Sequence, residues 1–366
     1  MNASILAPTL EVDVSAIARN YRLLCGRLKS GRCAAVVKAD AYGLGVTEVA
    51  PALYDAGCRD FFVATLEEGV RLRKVLAECD PPALELWASV PQLPTIYVFH
   101  GARKGETRDF TGHGLIPVLS SFDQIGHWDD AGPCALHIDT GMNRLGLTLE
   151  EVGIIPLPTY HLQLVMSHLA CAGEPEHPLN KQQLDDFSRT LTRFNGIPAS
   201  FANSSGIFLG ADYHFDLARP GCSLYGISPN TSQPNPMENV VTLSAPILQY
   251  RRIKKAQSVG YGATKKAKAG SILATVEMGY ADGFLRSSSN KAHGFVAGVK
   301  VPLIGRVSMD MIIFDISKVP EELYTSDLRV TLMGSELPVD EVAEAAGTIG
   351  YEIFTRMGSR VKRVYL

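Results

Sequence analysis

The sequence has no apolar run that approaches the roughly 20 residues needed to cross a bilayer. Its longest apolar runs, such as 33–37 and 311–314, are far shorter, and its first residues lack the basic start and apolar stretch of a secretory signal. The seven cysteines include no Cys-x-x-Cys pair. This pattern is typical of free thiols in a reducing compartment and not of a disulfide framework or a zinc site. We therefore expect a soluble, cytoplasmic protein with no membrane partner.

An excess of positive charge is also missing. The 366 residues include 35 Lys and Arg against 38 Asp and Glu, which gives a formal net charge of −3. No broad basic face for nucleic acid is therefore expected. His161 and His168 lack the i, i+4 spacing of two ligands on one helix face, and we expect no metal. The 46% apolar content suffices for a sizeable core, and the length fits two domains.

Short apolar runs recur about every 20–30 residues through the first two-thirds of the chain, each followed by a helix-like stretch. The runs lie at 33–37, 61–64, 84–88, 116–119, 135–138, 164–166, 201–202 and 215–218. Strands buried on both faces that alternate with helices indicate a parallel sheet. Eight such units predict an N-terminal (β/α)8 TIM-like barrel. An open doubly wound sheet is the alternative, but no G-x-G-x-x-G follows the first run.

The pattern changes after Gly226. The segment 227–236 is rich in Pro, Asn and Ser and indicates a linker or a long loop. Segments of β pattern follow at 241–253, 271–276, 295–304, 311–316 and 328–333, with helical pattern at 341–346. These segments predict a mostly antiparallel C-terminal β domain. We expect the barrel to span 13–230 and the β domain to span 231–366, joined by an N-terminal strand within 1–12.

Reactive groups of a parallel barrel stand at the carboxyl ends of its strands. That rule selects six side chains: Lys38, Asp139, His168, Asn203, Ser204 and Arg219. A desolvated lysine is a nucleophile able to form a Schiff base, although the spacing taken alone favours an ordinary exposed lysine at a strand end. The segments 203–206 and 219–223 follow the last two strands, where they could bind phosphate or form ordinary turns.

Three clusters in the C-terminal part place glycine beside polar and aromatic residues, at 259–264, 278–284 and 304–311. Glycine permits unusual backbone angles and the close approach of a ligand. Hairpin turns with one aromatic residue at the edge would give the same pattern, so spacing alone leaves both interpretations open.

Taken together, these segments resemble the alanine racemase family, whose members use pyridoxal 5′-phosphate (PLP) on a barrel joined to a β domain. The resemblance covers nearly the whole chain. It rests on the segments 36–45, 139–146, 218–221, 224–226, 260–264, 279–283 and 305–310. The Lys38 segment alone is shared with other PLP barrels, whereas the tyrosine cluster and the β domain are specific to this family.

The resemblance implies that Lys38 binds PLP and that Lys38 and Tyr261 act as two acid–base groups on opposite faces of the substrate, interconverting L- and D-alanine. Two groups are needed because inversion removes a proton from one face of Cα and returns a proton to the other. The remaining cofactor-binding positions would be Tyr42, Arg144, His168, Asn203, Ser204, Arg219, Gly221 and Tyr351. The substrate-binding positions would be Arg144, Tyr261, Tyr280, Met309 and Asp310. The family also implies a homodimer that completes each site with the partner subunit's tyrosine.

One position departs from the family. Many relatives carry a lysine two residues before Asp139, modified to a carbamate that pairs with the arginine at 144. Here that position is His137, so no lysine carbamate can form there. A chloride ion or a different hydrogen bond could hold Arg144 instead.

Other functions are compatible with parts of the pattern. A non-catalytic PLP-homeostasis protein would be a single barrel, which the region after Asn230 disfavours. An amino-acid decarboxylase of the same architecture is a further alternative, and a PLP-free metal hydrolase is a more distant one. The sequence leaves open whether serine is also a substrate. It also leaves open whether the role is to supply D-alanine for cell wall (peptidoglycan) or to degrade it.

Overall fold

The computed structural model describes residues 7–79, 93–155, 161–230 and 232–366. The chain divides into two compact units. Ser15–Glu238 forms the first, and the strand Thr9–Val12 belongs with Asn239–Leu366 in the second.

The first unit is built on parallel strands. Those described in its main sheet are Ala35–Val36, Asp60–Val63, Thr95–Val98, Leu115–Leu119, Cys134–His137, Leu162–Met166 and Ala199–Ser200. Just before the first of them, Arg32–Cys33 pairs in parallel with Leu217–Ala218. The Arg219 N–H donates to the Ala202 carbonyl at 2.8 Å, so the last strand also bonds to the chain that follows Ala199–Ser200. The ring of strands is closed, and the predicted (β/α)8 barrel is confirmed.

Helices alternate with these strands. The described ones are Val14–Arg27, Val46–Asp55, Leu66–Cys79, Thr107–Gly112, Phe122–Trp128, Leu149–Ile154 and Pro178–Leu191. Side-chain caps are present at the starts of Phe122–Trp128 and Leu149–Ile154. The Ser121 hydroxyl accepts from Gln124 N–H at 3.3 Å, and Thr148 forms a capping box with Glu151.

Three of the predicted barrel strands differ in position from the described ones or lie outside the described residues. The run 84–88 lies outside the described residues, and the third described strand of the sheet is Thr95–Val98, which the sequence reading missed. The seventh strand lies at Ala199–Ser200, just before the predicted 201–202, and its polar Ser200 is fully buried. The last strand begins at Leu217 and not at Phe215, because Phe215 has a φ of 50°, which extended backbone does not allow.

The barrel interior is filled by side chains contributed by successive strands. The core cluster consists of Ala34, Val36, Phe62, Tyr97, Val118, Ala135, Leu164, Met166 and Leu217. Register places several of them side by side, since Val36 pairs with Phe62 and Phe62 pairs with Tyr97. The barrel is therefore a packed core and not a pore, and its chemistry is displayed at the strand ends.

The second unit is mostly antiparallel, as predicted. Its strands are Thr9–Val12, Val241–Arg252, Gln257–Val259, Lys265–Ala267, Ile272–Glu277, His293–Val296, Val299–Pro302, Met311–Asp315, Arg329–Met333 and Lys362–Tyr365. Thr9–Val12 pairs antiparallel with Val241–Arg252 and parallel with Lys362–Tyr365. Its α-helices are Val339–Ala346 and Gly350–Thr355.

The segment predicted as one β run at 295–304 is a hairpin. His293–Val296 and Val299–Pro302 pair across a two-residue turn at Ala297 and Gly298, which have φ of 45° and 75°. Two consecutive residues with positive φ match the type of turn that favours tight hairpins. Among the described residues, no helix is long and apolar enough to span a membrane.

Candidate active site

The carboxyl ends of the barrel strands bring together the basic side chains that the sequence selects. Lys38 follows Ala35–Val36, His168 follows Leu162–Met166, and Arg219 follows Leu217–Ala218. Arg144 lies beyond Cys134–His137. Burial lowers the pKa of His168, and the charges of Arg219, Arg144 and Lys38 lower it further, so all three lie within electrostatic reach of this imidazole.

The chain after Lys38 forms a left-handed turn. Residues 39–42 have φ between 53° and 57°, and Gly43 ends the turn with a φ of 83°. Such a conformation costs L-residues roughly 1–2 kcal/mol each. Side chains hold it in place: Glu68 Oε1 accepts from Ala39 N–H at 2.8 Å, and Asp40 Oδ1 accepts from Val46 N–H at 3.0 Å. The strained turn fixes where Lys38 and Tyr42 leave the backbone.

Lys38 is half-buried, and its Nζ lies 5.6 Å from the centroid of the Phe99 ring. Burial lowers the pKa of Lys38 below its ordinary value, and the Arg144 guanidinium lowers it further, whereas Glu68 opposes the shift. The neutral amine needed for nucleophilic or base chemistry is therefore more accessible than in a solvated lysine.

Arg219 is buried, with 3% of its surface exposed. Its Nη2 donates to the Ser167 carbonyl at 2.5 Å, and its Nη1 donates to the Ser200 hydroxyl. No carboxylate pairs with this guanidinium in the described part of the chain. Burial lowers the pKa of Arg219 to about 9, so it is still a cation at neutral pH. A buried cation without an anion indicates a site for an anionic ligand.

The two histidines near Arg219 are neutral at pH 7. Burial, followed by the Arg219 charge, lowers the pKa of His137 to about 4. The same two causes, in the same order, hold the pKa of His168 well below its usual range. Each imidazole therefore has one nitrogen that donates and one that accepts.

The loops after the last two strands are packed against Tyr42. Ser204 Oγ accepts from the N–H groups of Gly221 at 2.9 Å and Ser223 at 3.2 Å. Asn203 Oδ1 accepts from Gly206 N–H at 2.9 Å and closes its own turn. A β-carbon at Gly221 would meet the Tyr42 hydroxyl, so this position accepts only glycine without movement.

Asp139 has a structural role in the loop that leads to Arg144. Its Oδ1 accepts from the N–H groups of Gly141 and Met142, both at 2.8 Å. The carboxylate thereby shapes a turn, and the Arg144 side chain beyond it is exposed.

In the C-terminal unit, the candidate residues are exposed. Tyr261 is 70% exposed and stands between Gly260 and Gly262, whose φ values are 70° and 71°. Tyr280 and Met309 lie on adjacent loops, because Tyr280 N–H donates to the Ser308 carbonyl at 3.1 Å. Tyr351 lies on the helix Gly350–Thr355 and is 40% exposed.

Asp310 is held by a residue that the sequence reading missed. Arg360 donates through Nη1 to Asp310 Oδ1 at 2.8 Å and through Nε to Asp282 Oδ1 at 2.7 Å. Asp282 is buried, and its other oxygen accepts from Gly279 N–H at 2.8 Å. One guanidinium therefore links the Asp310 loop to the Tyr280 loop.

Phe99 and Glu68 were also missed. Phe99 follows the strand Thr95–Val98, which the sequence reading did not detect. The apolar, β-branched run that begins at Thr95 after Pro94 could have indicated this strand and the position of Phe99 at its end. Glu68 Oε2 additionally accepts from Ala64 N–H at 2.8 Å. No group of three His, Cys, Asp or Glu in the described residues could hold a metal ion.

Comparison with known proteins follows this two-unit division. Residues 12–229 match the alanine racemase N-terminal domain, and residues 240–365 match the alanine racemase C-terminal domain. An alanine racemase of Rhodospirillum rubrum is 49% identical over 97% of this chain and 95% of its own length. An alanine racemase of Rhizobium meliloti is 43% identical over 98% of this chain and 96% of its own length.

A solved structure agrees. The alanine racemase from Bartonella henselae, crystallised with covalently bound pyridoxal phosphate, superposes with a TM-score of 0.89 at 38% identity. The match covers 98% of this chain and 99% of that one. Two family domains in order along the chain, together with relatives matched over nearly their full length, lead to one conclusion: the chain belongs to the alanine racemase family.

Proposed function

We propose that this protein is a PLP-dependent racemase that interconverts L-alanine and D-alanine. The observation that carries the proposal is the buried Arg219 guanidinium, which has no carboxylate partner in the described residues and stands in one charge cluster with Lys38 and Arg144. A reactive amine beside an excess of positive charge suits an anionic aldehyde cofactor. Family membership supplies the substrate, alanine.

The barrel, 13–230, fits PLP in the charge and the hydrogen-bonding groups at its strand ends. PLP carries a phosphate and a ring oxygen, both of which are anionic or hydrogen-bond acceptors. Lys38 would hold its aldehyde carbon, and Tyr42, Asn203, Ser204 and Gly221 would hold the phosphate end. The absent side chain at Gly221 leaves room for the Tyr42 hydroxyl, which would then face the phosphate end. Tyr351 of the C-terminal unit is proposed to complete the phosphate contacts.

Arg219 and His168 act on the ring. A guanidinium remains protonated and would donate to the ring nitrogen without transferring its proton. His168 is neutral under the field of Arg219 and can relay hydrogen bonds between neighbours. Arg144 would face the ring oxygen and the substrate carboxylate.

PLP, when bound, supplies an electron sink that makes the Cα–H bond of an amino acid acidic. Lys38 is proposed to move a proton at one face of Cα, since burial and Arg144 favour its neutral amine. Tyr261 is proposed to move a proton at the opposite face. Neither residue alone can invert the centre, because each reaches one face only.

We propose that Tyr261 acts in the site of a second copy of the chain, so that the protein is a homodimer with shared sites. Tyr261, Tyr280 and Met309 are exposed by 70%, 43% and 53%, so their side chains are available to a partner subunit. Met309 and Asp310 would contact the substrate or support Tyr261. Tyr280 would narrow the entrance and favour a small side chain.

The test of activity uses the purified protein with L-alanine and chiral analysis of the product. The wild type is expected to bind PLP with a visible absorbance band, and borohydride should fix the cofactor covalently to Lys38. Lys38→Ala should abolish racemisation, whereas Lys104→Ala, an exposed lysine of the same unit, should leave it unchanged. Failure to take up PLP, or full activity of Lys38→Ala, would contradict the proposal.

A hybrid experiment tests the shared site. Lys38→Ala and Tyr261→Phe, each inactive alone, are co-expressed with different tags, and the mixed dimer is purified through both tags. If the site combines Lys38 of one copy with Tyr261 of the other, one site of the mixed dimer carries both intact residues and activity returns. If both residues come from one chain, the mixed dimer stays inactive.

We also propose a cytoplasmic location. All seven cysteines are free thiols, which a reducing compartment preserves. Fractionation of cells that express the protein would test this, and recovery with secreted or envelope proteins would contradict it.

A further inference from the structure

The helix Pro178–Leu191 buries two amide side chains where apolar ones would be expected. Asn180 and Gln183 lie three residues apart on one face of this helix, and they are 2% and 0% exposed. Burial of an amide costs free energy unless its polar atoms find hydrogen-bond partners. Asn180 Nδ2 donates to the Glu174 carbonyl at 2.9 Å and holds the loop that enters the helix. The partners of Gln183 lie closer to the basic residues of the site.

Gln183 is bonded to the chain that follows the strand Leu162–Met166. Its Nε2 donates to the His168 carbonyl at 2.9 Å, and its Oε1 accepts from Ala170 N–H at 2.9 Å. One amide thus pairs with the backbone of two residues of the same segment, as a neighbouring strand would. The backbone that carries the His168 imidazole is therefore fixed by a side chain of the following helix.

Gln183 also reaches the loop that leads to Arg144. Its Nε2 donates to the Thr140 hydroxyl at 3.2 Å, and that hydroxyl lies 2.8 Å from the Ser167 hydroxyl. Ser167 and Thr140 are themselves buried. The Ser167 carbonyl in turn accepts from Arg219 Nη2 at 2.5 Å. Both polar atoms of the Gln183 amide are therefore used, and their partners lie in, or bond to, the segments that carry the basic residues.

We propose that Gln183 is a positioning residue of the racemase, an inference that rests on the proposed function. Its amide holds the strand end 167–170 against the loop of Thr140, and the Ser167 carbonyl then fixes the Arg219 guanidinium. Gln183 acts on the reaction through the residues that it holds. A buried network of this kind keeps its geometry only while every member has its partner.

The role requires a donor and an acceptor in one planar group. Gln183→Met keeps the length of the side chain but leaves the His168 carbonyl and the Ala170 N–H without this partner. Gln183→Glu keeps the acceptor, and its carboxyl group can donate only when it is protonated. Burial favours the protonated form of a carboxyl group. Gln183→Glu should therefore recover function as the pH is lowered, which Gln183→Met cannot do.

The first test follows amide hydrogen exchange at Ala170 in the purified holoenzyme. Gln183→Met should speed this exchange roughly tenfold or more, because the acceptor of the Ala170 N–H is removed. Gln182→Met is the matched control, since it changes the adjacent, exposed glutamine and should leave the exchange rate as in the wild type. Equal exchange rates in the two variants would overturn the proposal.

The second test measures kcat for racemisation of L-alanine and the Kd of PLP. Gln183→Met should lower kcat roughly ten- to a hundredfold and raise the Kd, whereas Gln182→Met should change neither. At about pH 6.5 the kcat of Gln183→Glu should exceed that of Gln183→Met roughly fivefold or more, and the advantage should shrink toward about pH 9 as the carboxyl group ionises. Equal kcat values for these two variants at the lower pH would overturn the proposal.

Folding of the variants is measured by circular dichroism and decides the remaining cases. If Gln183→Met alone fails to fold, Gln183→Glu at the two pH values carries the comparison with the wild type. If both fail to fold while Gln182→Met folds, Gln183 is a structural residue and the positioning role is wrong. Failure of the proposed function would appear in the wild type, which would then neither bind PLP nor racemise alanine. Failure of this inference would appear only among the variants.

Discussion

A β-carbon at Gly221 would lie 2.4 Å from the hydroxyl oxygen of Tyr42. The Tyr42 ring cannot simply swing away, because it packs against Tyr225 with ring centroids 4.9 Å apart. The φ of Gly221 is −127°, outside the left-handed range that favours glycine, so the contact with Tyr42 is the reason for glycine that we test.

Gly221→Ala is therefore expected to displace the Tyr42 hydroxyl and weaken PLP binding. We expect the Kd to rise roughly tenfold, the equivalent of about 1.4 kcal/mol. The measurement is absorbance titration of the apoprotein with PLP. Gly173→Ala is the matched control, since a β-carbon there meets no atom within 4 Å. Equal affinities for the two variants would show that the Gly221 contact does not shape the site.

The charge cluster around His168 makes a separate prediction. Arg219 is the largest charge that lowers the pKa of His168, ahead of Arg144. Arg219→Gln should therefore raise the pKa of His168 toward its ordinary value, whereas Arg219→Lys, which keeps the charge, should leave it low. Arg144→Gln should raise it less. An NMR titration of the labelled His168 imidazole measures this pKa in the three variants. The same pKa in every variant would show that Arg219 and Arg144 do not act on His168.

The sequence alone predicted the barrel and most of the basic residues of its site, because the strands of a barrel are apolar and its reactive side chains stand at the carboxyl ends of those strands. It failed where buried polar or strained residues broke the apolar pattern. Ser200 is polar yet fully buried, since its hydroxyl accepts from Arg219, and Phe215 stops the last strand through a positive φ. The left-handed turn at 39–42 has no glycine before Gly43, so composition gives no sign of it.

Long-range polar contacts were also beyond the sequence. Arg360 meets Asp282 and Asp310 from positions 78 and 50 residues away, and no spacing rule connects residues so distant. By contrast, His137 was visible as a departure from the family, but only the structure gives its burial and therefore its charge state.

His137 should make stability depend on pH in a defined window. Burial and Arg219 lower the pKa of His137 to about 4 in the folded state, against about 6.5 when unfolded. The stability associated with a neutral His137 is therefore fully present above pH about 6.5, and it is lost as the pH falls toward 4. Between pH 7.5 and 5 the loss should be about 2 kcal/mol of the free energy of unfolding.

Urea unfolding of the apoprotein at these two pH values measures this contribution. His137→Asn, which cannot be protonated, should lose less stability between them than the wild type by that amount. His127→Asn replaces an exposed histidine and should behave as the wild type does. If His137→Asn shows the same loss as the wild type, the imidazole is not held neutral by its surroundings.

Arg360 supports a prediction about the substrate side of the site. Its guanidinium reaches Asp282 and Asp310 through two different nitrogens, whereas a lysine has one donor nitrogen on a flexible stem and cannot reproduce this two-point geometry. Arg360→Lys should therefore free the Asp310 loop and lower kcat/KM roughly ten- to a hundredfold, the range expected for a displacement of about 1 Å. Arg356→Lys changes an exposed arginine of the same unit and should alter kcat/KM little.

Asp310→Asn tests whether Arg360 acts through Asp310. Because Arg360→Lys and Asp310→Asn break the same contact, their effects on kcat/KM in the double variant should be less than additive. Fully additive losses would mean that Arg360 acts on the reaction by some path other than Asp310.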